Sequence, residues 1–531
     1  MKEERISYPE LGKIYPGDYY ESIPYAQYIE HRGFDPGGQP VFDIRDFGAQ
    51  PGDGLNTDAV RAACEACRDA GGGIVRVSGG TYRSGTVRLY GNTTLWIDPD
   101  SVLMASRNAD DLILRIDGTQ DFGEESSGGA FLLAVDAENI RVTGGGVIHG
   151  QGEWFVHEPR RRPSFEPVSP VMLPTREESG QINTVPGSIR TAYRDRIRYA
   201  EDKYGEGKPV LRRPSALVWF LRCRGVCFEN IILRDSMCWT LHLEACDQAE
   251  IRNLVIDDNR HVANTDGIDL SGCSHVRVEH CFVSCADDGL CIKNPITTRR
   301  DSEDIRIRDC TVISVMNAFK IGTGTYHDIR NVQVENCDFR MPDICPGSVS
   351  GISIESCDGS RVEDITLRDI RMRRVQCPLY LVINRRNEGK DPYTEDPEGR
   401  YWGGMIRRVT LENISAEEAD LPAILTGYTD QTQVGITVRR APDQITIRNY
   451  QAAYRECEEK LRLPEEYQEF LTNYPESNAH GDVDACGLWM RHLDRVTLEN
   501  ITVVPRACNT RETIIMRDMS EARIHGQGEV I

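Results

Sequence analysis

The chain has 531 residues, 39% of them hydrophobic and 27% charged, with 47 Gly and 26 Pro; this balance supports a folded, turn-rich protein and excludes disorder. A formal charge of -21, from 62 Lys and Arg against 83 Asp and Glu, would repel a phosphate backbone, so no nucleic acid partner is expected. No stretch approaches the roughly 18 apolar residues of a membrane span, and the opening MKEERISYPELGKIYPGDYY has no apolar signal core. A soluble, cytoplasmic protein with no membrane partner is expected.

Residues 1–41, rich in Tyr, Pro and Gly, predict an extended arm that packs on the following helix or on a second subunit of a homo-oligomer. Residues 42–531 then form one repetitive domain. Near its start, NTDAVRAACEACRDAGGG predicts a helix with Asn56 or Thr57 as N-cap. Its apolar stripe runs through Val60, Ala63, Cys64 and Cys67, and its glycines end it, so it suits the cap of an otherwise open-ended stack. The Cys64–Cys67 pair has redox or metal spacing but no second Cys/His pair beside it, and no metal is assigned. Eighteen cysteines in so long a chain, many at apolar strand positions such as Cys281, Cys310 and Cys337, read as free buried thiols. Two charged, helix-prone segments, 153–213 and 451–482, read as helical excursions over one face, either solvated decoration or walls that close a cleft.

From residue 226 onward a strand ending in a polar turn recurs: VCFENI, AEIRNL, VRVEHC, IRIRDC, VQVENC, VEDITLRDI, RVTLENI, ITIRNY and RVTLENI again. The turn residues are Asn230, Asn253, His280, Asp309, Asn336, Asp369, Asn413, Asn449 and Asn500, spaced by 23 to 51 residues. Such spacing suits coils whose strands stay fixed while their loops lengthen. Alternating apolar residues, Val276 and Val278 or Ile305 and Ile307, cannot be buried by one unit alone and require stacked neighbours. The predicted fold is all-β, a single-stranded parallel β-helix of about ten coils.

A second strand follows each turn: TLHL, GIDL, GLCI, AFKI, GISI and PLYL. Aligned on Leu241, Ile268, Leu290, Phe319, Ile352 and Leu379, the coils place Trp239, Asp266, Asp288, Asn317, Ser350 and Cys377 in one column. His242, Asp269, Cys291, Lys320, Ser353 and Tyr380 form another. Neighbouring strands lie about 4.8 Å apart, so Asp266 and Asp288 fall one rung apart, with Asp287 at the strand lip. Three carboxylates should then meet on a wet outer patch. They cannot all ionise freely, and at least one should have a raised pKa, as a proton donor and a base working together require. The same residues in NTDG and ADDG also suit Asx-turns, and an oxygen-rich acidic patch also suits calcium.

NTDG at 264–267 followed one coil later by Asp287-Asp288 resembles the polygalacturonase family of glycoside hydrolases, family 28. FDIRDFGAQPGDGLNTDAVRAACEACRDAGGGIVRVSGGTY and NIRVTGGGVIHGQGEWF resemble that family's opening strand, capping helix and early coil. The resemblance implies a right-handed β-helix that hydrolyses glycosidic bonds in a pectin-type oligosaccharide with inversion and without cofactor or metal. It makes Asp287 the general acid and Asp266 and Asp288 the groups that activate water, and it implies the roughly 6.5–9.5 Å acid–base separation of inverting enzymes. The family's GHG histidine falls on Asn317 and its RIK triplet on Ser353-Ile354-Glu355, so the recognition groups differ while the hydrolytic carboxylates are kept.

Replacement substrate contacts are sought among Lys320, Asn317, Asp269, Lys293, Arg385, Arg386 and His327, with Lys293 and the last three placed on nearby loops. Lys320 is equally suited to an ion pair with Asp269 or Asp288. His261 and His242 would approach from lower coils, and Trp239 and Tyr380 would offer stacking faces to a sugar. Cytosolic location and long covering segments favour exo-action on short oligosaccharides. Two other functions suit the same fold: a polysaccharide lyase or epimerase, which needs a basic side chain to abstract a carbon-bound proton, and a non-catalytic carbohydrate-binding β-helix.

Overall fold

A computed structural model describes residues 25–30, 32–112, 129–155, 213–260, 262–341, 348–386, 404–431, 437–454, 463–504 and 511–526. The chain is a parallel β-helix. Thirteen consecutive parallel pairings, hence fourteen strands, run from Val41–Asp43 to Glu512–His525 along one face. The stack is thus longer than the ten or so coils expected. At the turn below Asn230 an early coil uses Gly144 and Gly145 at positive φ in place of Asn, and the early turns that do use Asn, at Asn92 and Asn139, lie before the stretch in which the repeat is read.

All nine predicted turn residues adopt the left-handed conformation, with φ between 49° and 57°, a region that Asn, Asp and His enter more easily than other side chains. Their side chains also bond along the stack. Asn413 Nδ2 donates to Asp369 Oδ1 at 2.8 Å, Asn449 to Asn413 Oδ1 at 2.8 Å and Asn500 to Asn449 Oδ1 at 2.9 Å. Inside, Val276 pairs with Ile305 and Ile305 with Val332, all fully buried in one continuous core.

The N-terminal end is closed by the helix Thr57–Asp69, with Asn56 at its N-cap and Val60, Ala63, Cys64 and Cys67 as its buried face. The Asn56 side chain accepts from the Gln50 amide at 2.7 Å rather than from the helix. Burial raises the Cys64 thiol to about 12, which suits an inert packing residue. The fifteen described cysteines are all unpaired, and fourteen of them are buried.

Two expectations change. The described part of the arm does not lie on the capping helix. Its short helix Tyr25–Tyr28 packs along the barrel flank, where Tyr28 joins Val102, Val147, Ile232, Val255 and Phe282, and the Tyr25 hydroxyl bonds to Asp257. The excursion at 451–482 holds no α-helix among its described residues, only the 3-10 turn Ser477–His480. Pro464 and Pro475 remove the amides a helix needs. Of the other excursion, 156–212 lie outside the described residues, as do 1–24 of the arm.

Candidate active site

The site lies on a second ladder that includes Trp239–Glu244, Ile268–Ser271, Leu290–Asn294, Asn317–Thr325, Ser348–Ser356 and Val375–Ile383. Its register pairs Leu241 with Ile268, Ile268 with Leu290, Leu290 with Phe319, Phe319 with Ile352 and Ile352 with Leu379. Every rung assignment read from the repeat is therefore met. The inward anchors lie in the core, so the alternate residues face away from it.

Asp266, Asp287 and Asp288 converge as expected: one carboxylate oxygen of each lies within 4.8 Å of the other two. This is tighter than the 6.5–9.5 Å range typical of inverting pairs, because rung spacing and a shared strand lip set the separation. The patch is also drier than expected, Asp266 and Asp288 being only 3% and 5% exposed, while Asp287 is half-buried. Two lysines account for that burial. Lys293 Nζ lies 3.0 Å from Asp266 Oδ2 and 2.8 Å from Asp269 Oδ1, and 4.0 Å from the centroid of the Trp239 ring. Lys320 Nζ lies 3.1 Å from Asp288 Oδ2 and 3.8 Å from Glu355 Oε1. Lys293 thus sits on a strand, not a loop, and it, not Lys320, is the partner of Asp269.

Burial raises the Asp266 carboxyl well above the usual range; Lys293 opposes this, and Asp269, Asp287 and Asp288 reinforce it. Burial likewise takes Asp269 to about 6 and Glu355 to about 7, with the neighbouring lysines limiting both shifts. Lys293 and Lys320 are held charged by these carboxylates against the opposing effect of burial. Asp266 and Asp269, which share Lys293, therefore hold their protons more tightly than exposed carboxylates do.

Other side chains aim the trio. Asn317 Nδ2 donates to Asp288 Oδ1 at 2.8 Å, so the residue in the family histidine's place orients a carboxylate. Arg213 donates to Asn264 Oδ1 and to the Ala263 carbonyl, both at 2.6 Å, fixing the loop before Asp266. Asn264 Nδ2 in turn lies 3.5 Å from Asp287 Oδ2. Arg213 stands outside the repeat, and no sequence signal marked it.

Several proposed contacts lie elsewhere. Tyr380 is buried, its hydroxyl bonded to His480 Nε2 at 2.9 Å, and so offers no open face. Arg385 pairs with Asp430 at 2.5 Å, whereas Arg386 reaches Asp358 at 3.4 Å. His242 is buried against Trp219 and Trp239 and bonded to Ser271; burial, with a smaller effect of Lys293, lowers it to about 3, which keeps it neutral. His261 lies outside the described residues.

A solenoid flank that presents an acid and two lysine-held carboxylates has the equipment of a glycosidase. Residues 200–448 match the family model described as Glycosyl hydrolases family 28, a span that contains the whole carboxylate–lysine cluster. A Vitis vinifera protein named "Probable polygalacturonase" is 23% identical over 412 residues, covering 74% of this chain and 72% of that protein. Further relatives are matched over 35%, 45% and 43% of their own lengths. Two solved structures share the right-handed β-helix. The family 28 exopolygalacturonase of Yersinia enterocolitica superposes with a TM-score of 0.63 at 18% identity, covering 93% of this chain and 79% of that one. The exopolygalacturonase of Thermotoga maritima gives 0.57 at 21%, covering 81% and 90%.

Proposed function

We propose that the chain is an exo-acting, inverting glycoside hydrolase of pectin-type oligosaccharides. The observation that carries this reading is the division of roles within the trio: Asp266 and Asp288 are buried and each tied to a lysine, while Asp287 is more open at the lip. Asp287 donates the proton to the leaving glycosidic oxygen. Asp288 takes the proton of a water that Asp266 helps to hold, as the anomeric carbon gains positive charge. In this reading the held water, not a carboxylate, is the nucleophile. Water therefore attacks in a single displacement, which inverts the anomeric centre.

Exo-action is supported by the described excursion 463–482, which stands over the rungs beyond the trio, and by the likeness to the two exopolygalacturonases. A cytoplasmic setting is supported by thiols that remain unbonded although Cys281, Cys310 and Cys337 occupy successive rungs, as a reducing compartment would leave them. The test is reducing-end release from a panel of uronate-containing and neutral oligosaccharides. Turnover that disappears in Asp288→Asn supports the reading, and turnover unchanged in that variant refutes it.

A further inference from the structure

The carboxylates around the trio outnumber the cations that serve them. Lys293 answers Asp266 and Asp269 at 3.0 and 2.8 Å, and Lys320 answers Asp288 and Glu355 at 3.1 and 3.8 Å. Asp287, with an oxygen within 4.8 Å of Asp266 and Asp288, adds a further carboxylate and no further cation. Three oxygens of this cluster, Asp266 Oδ1, Asp269 Oδ2 and Glu355 Oε2, are buried and accept no hydrogen bond, so no local N–H or O–H dipole offsets their negative potential.

The two lysines are also shielded. Lys293 is 7% exposed, with Nζ 4.0 Å from the centroid of the Trp239 ring. Lys320 is 1% exposed, with Nζ 5.7 Å from the centroid of the Tyr474 ring. Other cations of this flank, among the described residues, are engaged as well: Arg386 with Asp358 at 3.4 Å, Arg385 with Asp430 at 2.5 Å, and buried Arg213 with Asn264 and the Ala263 carbonyl. A sugar entering at the lip therefore meets Asp287 and a surplus of negative charge, with these cations already committed.

A neutral ring tolerates that field, whereas a uronate brings one more carboxylate into it. A like charge about 6 Å away, at an effective dielectric constant of about 20, weakens binding about a hundredfold; the two lysines return part of that loss. Burial raises Asp269 to about 6 and Glu355 to about 7, and Asp288 adds to both shifts, so the cluster resists negative charge even at its own positions.

We propose that the sugar seated at the trio is neutral, a hexose, deoxyhexose or pentose at the end of a pectin-type chain, and that Glu355 is the specificity-determining residue because it engages Lys320 against a substrate carboxylate. This rests on the glycosidase reading above and names the class of sugar released. The test uses pectic oligosaccharides that carry either neutral sugars or uronates at their non-reducing ends, each before and after reduction of its carboxyls to alcohols. Released sugars are separated by anion exchange, for wild type and for Glu355→Gln, both checked by thermal melts.

Wild type should release neutral monosaccharide, and its kcat/KM should be at least about tenfold higher on a reduced terminal uronate than on the parent acid. Glu355→Gln, which removes one negative charge and loosens the hold on Lys320, should narrow that preference about tenfold. Uronic acid as the main product, or a kcat/KM on the acid equal to or above that on its reduced form, would overturn the proposal and leave the glycosidase reading intact. A preference unchanged in Glu355→Gln would overturn the assignment to Glu355. Release of no sugar from any of these oligosaccharides would overturn both the proposal and the glycosidase reading.

Discussion

Replacing Lys293 by Met tests the electrostatic frame of the site. Its ammonium holds Asp266 and Asp269 at 3.0 and 2.8 Å, and both carboxylates are almost wholly buried. The methionine side chain fills similar space under Trp239 but leaves two buried carboxylates without their shared cation. Breaking a buried pair in this way costs about 3–5 kcal/mol when the remaining charge cannot neutralise itself. Carboxylates can do so by taking up protons. Asp269 stands at about 6 even with Lys293 present, and loss of the lysine must move it and Asp266 higher. The folded state then binds more protons than the unfolded state across the neutral range, so stability falls as pH rises. Urea denaturation should therefore show a loss near the upper end of that range at about pH 8 and a smaller one at about pH 5. The acid limb of the kcat/KM profile should move up by about one pH unit or more. An equal stability loss at both pH values, together with an unmoved acid limb, would refute this account of the ion pair.

Asp287→Asn and Asp288→Asn should each lower kcat about 10²–10⁴-fold, the scale of a lost acid or base, with an unchanged melt for Asp287→Asn and a lowered one for Asp288→Asn, which takes from buried Lys320 its partner at 3.1 Å; turnover by either variant near the wild-type rate would contradict the assigned roles. Glu355 titrates at about 7 in the fold against 4.5 when exposed, so its ionisation costs stability as pH rises through that window. Wild type should lose about 3 kcal/mol more than Glu355→Gln between those two pH values, measured by denaturant titration. Asn449→Ala removes two links of the turn ladder and places alanine at a φ of 50°, and should destabilise by about 2–3 kcal/mol without altering kcat. Lys293 and Lys320 already place two positive charges beside Asp266 and Asp288, at 3.0 and 3.1 Å, so EDTA should leave the hydrolytic rate unchanged; loss of activity restored by calcium would point to the lyase reading.

The repeat made the strands, the turns and the rung register legible, because a β-helix forces each coil to repeat the same inward pattern and the same left-handed turn. Leu241 through Leu379 could be stacked on paper for that reason, and Asp266, Asp287 and Asp288 followed from the stacking. What the columns did not carry was side-chain reach. Lys293 and Lys320 lie one rung beyond the aspartates they bind, and which carboxylate a flexible ammonium meets depends on packing above the sheet. Tyr380 shows the same limit: its column position was right, but the His480 that buries it arrives from an excursion 100 residues later in the chain. Arg213 and Tyr474 lie outside the repeat altogether, so periodicity gave them no address.

The most direct measurement is proton NMR of the first product formed from a pectic oligosaccharide. A saturated sugar that appears with its anomeric configuration inverted, and then mutarotates, is the predicted result. A product with retained configuration would contradict the single displacement by water, and an unsaturated product would contradict hydrolysis itself.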